Sequence, residues 1–292
     1  MDILLQQVLN AIQLGSVYAL IALGYTMVYG VLKLINFAHG DIYMIGAYLG
    51  YYAATLFHFS FLPALAMAMV GAAAAGIIIE RIAYRPLRTA PRLSALITAI
   101  GVSLALENGT RAVIGPQYRP YPAIIAKKTF TLAGVSFTNV IVVVLVTAVV
   151  LMILLNYLVS RTMIGKAMRA VSFDKEATLL MGVDINRIVT YTFAVGSASA
   201  AAAGVMVGMV WPMIDPYMGL VPGIKAFVAA VLGGIGSVPG AMLGGYILGG
   251  VETAAAAFLP SSFRDTVAFG ILVLLLLFKP TGLFGVGNVE RV

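Results

Sequence analysis

Long runs of apolar residues recur along the whole chain, separated by short segments that hold most of the polar and charged residues. Val140–Tyr157 and Ala268–Phe278 illustrate the pattern, because both are almost entirely apolar and lack the alternation of a half-buried strand. About 20 mostly apolar residues allow a helix to cross the hydrocarbon core of a bilayer. The pattern therefore predicts an all-α polytopic transmembrane helical bundle and not a transmembrane β-barrel.

The apolar runs predict about eight full spans and one shorter helix. Spans are expected near residues 8–32, 41–57, 61–80, 93–114, 138–160, 188–211 and 265–278, with region 223–259 entering the membrane and returning. The first arm of that region, Ile224–Gly234, would be only about 16 Å long, roughly half the hydrocarbon thickness. A glycine-rich break, Gly233–Gly240, follows it. We therefore predict a short or re-entrant broken helix near residues 223–240, of the kind that often borders a transport pathway.

Composition predicts one transmembrane domain over residues 1–292. Hydrophobic residues make up 61% of the chain and charged residues 10%, far from the balance of a soluble domain. Because the first run opens with Asp2 instead of basic residues, it is expected to be a retained span and not a cleaved signal. The net charge of +7 fits basic loops at anionic headgroups and argues against a nucleic-acid partner. The absence of cysteine excludes disulfides, and two histidines argue against a metal centre.

The basic residues of the loops predict the orientation. Four arginines cluster in one loop, namely Arg81, Arg85, Arg88 and Arg92. Segment 161–187 carries further Lys and Arg residues, and short loops rich in these residues stay in the cytoplasm. With Lys279 and Arg291 near the end, we predict an external amino terminus and a cytoplasmic carboxyl terminus. Residues 115–139 then form an outer loop, with a small hairpin through Thr129–Phe137.

Polar residues within the apolar pattern are candidates for a translocation path. The bend Asn36–Asp41 joins the first two predicted spans at the inner mouth, where Asn36 or Asp41 caps the next helix or the bend serves as a gate; both alternatives stay open. The candidate path residues are Asn36, His39, Asp41, Gly233, Gly234, Gly236, Ser237 and Glu252.

Two carboxylates fall inside apolar runs and need partners or water. Glu107 precedes Arg111 by four residues, which predicts an ion pair along one helix face. Glu252 has no basic neighbour in the sequence, so a cavity-facing role, protonation and a distant hydrogen bond all remain open.

Pairs of glycines at a spacing of four predict close helix packing in the membrane. They are Gly46/Gly50, Gly204/Gly208, Gly240/Gly244 and Gly245/Gly249.

Segment 161–187 is too charged for lipid yet carries apolar residues at helical intervals. Residues that can share one face are Ala170, Phe173, Ala177, Leu180 and Met181. The segment predicts a short helix outside the hydrocarbon, which either rests on headgroups or docks a cytoplasmic partner.

Motifs along the whole chain carry a resemblance to a known family. They are GSVYAL from Gly15, NFAHGD from Asn36, ER from Glu80, RPLR from Arg85, GKAMRA from Gly165, KAF from Lys225, GGIGS from Gly233 and KPTGLFG from Lys279. In this order they resemble the branched-chain amino-acid ABC-importer permeases of the LivH type.

The resemblance implies a multi-pass subunit of a bacterial or archaeal inner-membrane importer for branched-chain or related hydrophobic amino acids. It implies a second permease subunit, two cytoplasmic ATPase subunits and an external substrate-binding protein. ATP and Mg would be used by the partners, since this chain lacks a GxxxxGK[ST] phosphate loop. We expect this chain to bind no cofactor and not to be an enzyme.

Within segment 161–187, Glu176–Gly182 resembles the coupling loop of ABC importers. The resemblance implies that the helix around Arg169–Met181 sits in a cleft of an ATPase subunit. The implied coupling residues are Arg161, Gly165, Lys166, Arg169, Asp174, Glu176, Ala177 and Gly182.

Two other functions compete with an importer subunit. A stand-alone secondary transporter, or a channel for a small polar solute such as urea or amides, also fits a polytopic chain with a broken helix. An intramembrane enzyme is disfavoured, because the few carboxylates and histidines form no acid–base or nucleophile arrangement.

Overall fold

The computed structural model describes residues 2–88, 90–132, 135–260 and 263–285. Eleven α-helices make up most of this part of the chain: α1 Asp2–Leu32, α2 His39–Thr55, α3 Phe61–Ile79, α4 Arg92–Ile114, α5 Asn139–Arg161, α6 Met163–Phe173, α7 Lys175–Leu180, α8 Ile185–Val210, α9 Leu220–Gly233, α10 Val238–Phe258 and α11 Phe263–Phe278. Four short strands lie in the loops: β1 Arg119–Pro120, β2 Thr129–Leu132, β3 Val135–Thr138 and β4 Met213–Ile214. The predicted all-α polytopic bundle is confirmed.

The helices occupy the positions of the predicted spans. Within the described residues, six are long and apolar enough to cross a membrane, namely α1, α3 with the turns that follow it, α4, α5, α8 and α10. Helices α2 and α11 are shorter, with 17 and 16 residues. Helix α9 is the predicted short helix, since its 14 residues rise only about 21 Å.

Helix α1 lies in the centre of the bundle, where it packs against α8, α9 and α10. The paired glycines allow this packing. A Cβ atom on Gly245 would lie 2.4 Å from the backbone nitrogen of Ala19, and one on Gly46 would lie 2.2 Å from Cα of Ala201. The helix backbones therefore touch at these positions, as the glycine spacing predicted.

Helices α4 and α5 lie at the edge of the bundle and turn large apolar side chains outward. These include Leu93, Ile97, Leu104 and Val113 on α4 and Val146, Ile153 and Leu154 on α5. These faces are available to lipid or to another apolar helix.

The turn after α3 ties two basic segments together. The chain leaves α3 through a π-helical turn, Glu80–Tyr84. Glu80 is fully buried, pairs with the guanidinium of Arg88 and accepts a 2.8 Å hydrogen bond from Thr190 of α8. Arg88 also donates to Asn186. The arginine-rich loop and segment 161–187 consequently lie at the same end of the bundle, here called the basic end.

The opposite end carries the β structure. Strand β1 pairs with β4 in an antiparallel arrangement, and β2 pairs with β3 from Thr129↔Thr138 to Leu132↔Val135. The predicted hairpin in loop 115–139 is thus present. Arg291, which contributed to the predicted orientation, lies outside the described residues.

Candidate functional site

The polar bend after α1 folds back into the bundle. His39 packs against Gly24. A Cβ atom built on Gly24 would lie 2.1 Å from Nε2 of His39. Gly24 is about 12 Å from the end of α1 at Leu32. Helix α2 therefore begins inside the bundle, deeper than the predicted position at the inner mouth.

Neither Asn36 nor Asp41 caps α2. The N-cap position belongs to Ala38, and no side chain bonds to it. Asn36 instead accepts a 2.7 Å hydrogen bond from the hydroxyl of Tyr84, and both side chains are buried. The capping alternative is therefore wrong, and Asp41 is available for another contact.

Helix α9 begins beside the start of α2. A Cβ atom on Gly40 would lie 2.4 Å from the carbonyl oxygen of Gly219 and 3.0 Å from Cα of Gly223. These glycines let two helix starts meet within the bundle. Irregular backbone at such a depth is tolerated where it is buried in protein or lines a cavity.

A cavity of about 320 Å³ lies where α2 and α9 meet α4, and it is open on one side, where Ile100, Leu104 and Leu220 are exposed. Its polar lining comes from Asp41, Ser103 and Glu107, and its apolar side chains are Phe37, Ile100, Leu104, Leu220 and Ile224. Asp41 was among the predicted path residues, whereas Ser103 was not predicted. A polar residue one helical turn before Glu107 was the available signal.

The predicted pair between Glu107 and Arg111 is wrong. Glu107 lines the cavity beside Asp41, whereas the guanidinium of Arg111 donates a 3.0 Å hydrogen bond to the hydroxyl of Tyr217. The spacing permits the pair, but α2 places Asp41 beside Glu107, and the loop before α9 places Tyr217 beside Arg111.

The glycine-rich break lies away from this cavity, at the basic end. Gly234 and Gly236 adopt φ angles of 102° and 97°, which glycine tolerates. The carbonyl of Gly233 accepts a 3.1 Å hydrogen bond from the amide of Phe284, and Ser237 caps α10. These four candidate path residues therefore form a turn that the segment after α11 covers.

Glu252 is buried in an ion pair. Its Oε1 lies 2.8 Å from Nζ of Lys225 on α9, and its Oε2 accepts a 2.7 Å hydrogen bond from Tyr18 on α1. Lys225 also lies 2.7 Å from Oδ1 of Asp265, at the start of α11. The open question about Glu252 is answered by a partner distant in sequence. Lys225 is the one lysine in the predicted short helix, and this was the available signal for a partner of Glu252.

Segment 161–187 forms two helices where one was predicted. Helix α6 is capped by Thr162, which accepts a hydrogen bond from the amide of Gly165, and α7 by Asp174, which accepts one from the amide of Ala177. The backbone of Asp174 is extended, with φ −149° and ψ 113°, and this interrupts the helix. Gly182 ends α7 at φ 81°, as in common helix C-caps.

The residues predicted to share the face of one helix are exposed, but they are divided between α6 and α7. Phe173, Leu180 and Met181 are 91%, 88% and 83% exposed, and Ala170 and Ala177 are exposed as well. We call these five residues the apolar patch. Among the candidate coupling residues, Arg161, Lys166, Asp174, Glu176 and Gly182 are exposed.

The remaining two candidate coupling residues anchor α6 to the bundle. Gly165 is buried, and a Cβ atom there would lie 2.2 Å from the carbonyl oxygen of Leu158. The guanidinium of Arg169 donates to the carbonyl of Val159. Both fix the corner between α5 and α6.

A family described as the permease component of branched-chain amino acid transport systems matches residues 7–277. The chain belongs to this family. The high-affinity branched-chain amino acid transport system permease protein BraD of Pseudomonas aeruginosa is 44% identical over 300 residues, which cover 99% of this permease and 98% of BraD. The corresponding permease protein LivH of Escherichia coli is 41% identical over 308 residues, with coverages of 99% and 97%. The family resemblance read from the motifs is confirmed.

A solved structure shares the fold of this permease. It is that of PsaBC from Streptococcus pneumoniae in complex with Fab, with a TM-score of 0.50 over 93% of this permease and 91% of that chain. The identity is 11%, so the similarity concerns the fold. Permease components are transport subunits and not enzymes, as predicted for this chain.

Proposed function

We propose that the chain is the membrane-spanning permease subunit of an ATP-driven importer for branched-chain or related hydrophobic amino acids. The observation that carries the proposal is the apolar patch, whose three large side chains are exposed at the basic end of a chain from this family. Exposed apolar side chains on short, charged helices are suited to docking a partner.

The partners are an ATPase subunit at the patch, a second permease subunit, a second ATPase subunit and an external substrate-binding protein. ATP and Mg act in the ATPase subunits. The outward apolar faces of α4 and α5 and the open side of the cavity support a second permease subunit. The membrane is that of a bacterial or archaeal cell, with the basic end in the cytoplasm because short basic loops stay there. The amino terminus is then outside and the carboxyl terminus inside.

Helix α6 is placed to transmit movement from the ATPase. Its buried residues Met168 and Val171 face the bundle, where α6 packs against α1, α5 and α8. Because Gly165 and Arg169 hold the α5–α6 corner, a displacement of α6 moves α5 with it. ATP-driven closure of the ATPase pair would reach the cavity through α1, which packs against both α6 and α9.

Cysteine cross-linking tests the docking surface. The natural chain has no cysteine, so the L180C variant introduces a single thiol in the apolar patch. We expect it to cross-link to the ATPase subunit in the assembled complex, and to react with a membrane-impermeant maleimide only after cells are permeabilised. The T131C variant, in the β2–β3 hairpin, is the matched control and should react in intact cells without cross-linking.

Reaction of L180C with the reagent in intact cells would contradict both the orientation and the docking. Uptake of leucine by proteoliposomes separates the importer from a stand-alone transporter or channel. Uptake should require ATP, the ATPase subunits and the binding protein. Uptake by this chain alone would refute the proposal.

A further inference from the structure

We propose that the cavity between α2, α4 and α9 is a binding site for a zwitterionic amino acid, whose α-ammonium group is held by Asp41 and Glu107. The proposal rests on the proposed function and adds to it a site and the group recognised there.

Asp41 and Glu107 are buried carboxylates that contact each other, and Asp41 also contacts Ser103, yet one oxygen of each carboxylate lacks a partner. They are 2% and 5% exposed, and both line the cavity. Within the described residues, Oδ2 of Asp41 and Oε1 of Glu107 have no hydrogen-bond partner. A buried polar atom without a partner is costly, and a buried charge more so. Both atoms therefore favour a ligand that donates hydrogen bonds and carries positive charge.

The lining offers no cation of its own. Among the described residues around the cavity there is no Lys or Arg. Lys225, also on α9, is engaged by Glu252 and Asp265. No third His, Asp or Glu joins the two carboxylates to form a metal site in the described part of the chain. An ammonium group, with three donors for carboxylate oxygens, fits this arrangement better than a metal ion.

The start of α9 supplies the complement for the ligand's carboxylate. Gly219 and Leu220 line the cavity, and no side chain caps this helix. The amide of Leu220 donates to the carbonyl of Tyr217 and Pro222 has no amide, so it is the helix dipole, and not a set of free amides, that favours an anion at this end. Carboxylates on one wall and a helix N-terminus on another match the two charges of an amino acid.

The remaining walls suit an aliphatic side chain. Ile100, Leu104 and Ile224 are apolar, and the volume is about 320 Å³. The site thus has room for an amino acid with a branched side chain, held by few polar groups as is usual for small-molecule sites.

The S103C variant places a reporter in the cavity. The experiment uses the assembled importer in nanodiscs without the external binding protein, and it follows the reaction of this thiol with a cationic trimethylammonium-ethyl methanethiosulfonate in each nucleotide state. Leucine should slow the reaction. Isocaproate has the same side chain and carboxylate but no ammonium group. It should protect the thiol equally only at a roughly 10- to 100-fold higher concentration, as expected for lost hydrogen bonds to charged groups. Isoamylamine, which lacks the carboxylate, tests the α9 contact in the same way.

Adding D41N and E107Q to S103C should raise the leucine concentration for half-protection by roughly 10- to 100-fold. Equal protection by leucine and isocaproate would overturn the proposal, as would unchanged protection in the triple variant or a thiol that reacts in no state. If the triple variant does not assemble, the ligand comparison in S103C alone decides. Cross-linking of L180C to the ATPase subunit does not depend on the cavity, so failure of the site is distinguishable from failure of the importer assignment.

Discussion

Replacing Lys225 by methionine should destabilise the folded chain by about 3–5 kcal/mol, the usual cost of removing one partner of a buried ion pair. Glu252 would keep only its hydrogen bond from Tyr18 and would remain buried without a counter-charge. Asp265 would lose the same partner at little cost, because its side chain is 57% exposed. Reversible unfolding in mixed micelles would measure the change in free energy.

The E252Q variant is the matched comparison. It leaves Lys225 paired with Asp265, so its cost should be clearly smaller than that of K225M. The double variant K225M/E252Q removes both buried charges and should be more stable than K225M alone. Equal destabilisation by K225M and E252Q, or strictly additive effects in the double variant, would show that the pair does not stabilise the fold as the geometry indicates.

The second large effect is expected at the contact between α1 and α10. Leucine at Gly245 should cost about 1–3 kcal/mol or more, because its Cβ atom would lie 2.4 Å from the nitrogen and 2.5 Å from Cα of Ala19. The obstacle is backbone, which cannot change rotamer, so the two helices must separate. The effect would be measured by size-exclusion chromatography, as the fraction of monodisperse protein that is lost on heating.

Gly250 provides a control on the same helix, since a Cβ atom there meets no other atom within 4 Å among the described residues. The G250L variant should retain nearly the thermal stability of the natural protein. G245A should fall between G250L and G245L, because alanine adds the clashing atom without the rest of the side chain. Equal stability of G245L and G250L would mean that α1 and α10 do not pack this closely.

The sequence determined those features that depend on nearby residues. Long apolar runs specified the spans, since a bilayer demands length and hydrophobicity whatever the neighbouring helices are. The limited length of region 224–234 specified a short helix, which is α9. The amphipathic spacing around Phe173 and Leu180 specified an exposed apolar face, and the ordered motifs specified the family. The break at Asp174 was not predicted, although an aspartate that caps the following helix is a local signal.

The tertiary structure alone decided which polar groups meet inside the bundle. Helical spacing favoured Arg111 as the partner of Glu107, but α2 brings Asp41 beside Glu107, while Tyr217 takes the guanidinium. Lys225 and Glu252 lie on different helices, and packing of α9 against α10 places their charged atoms 2.8 Å apart. The depth of the bend before α2 likewise follows from the contact of Gly40 with Gly219, at the start of α9. Local patterns fix which residues enter the membrane, because that depends on transfer from water. Which buried groups become partners depends on how helices distant in sequence pack, and no local pattern contains that information.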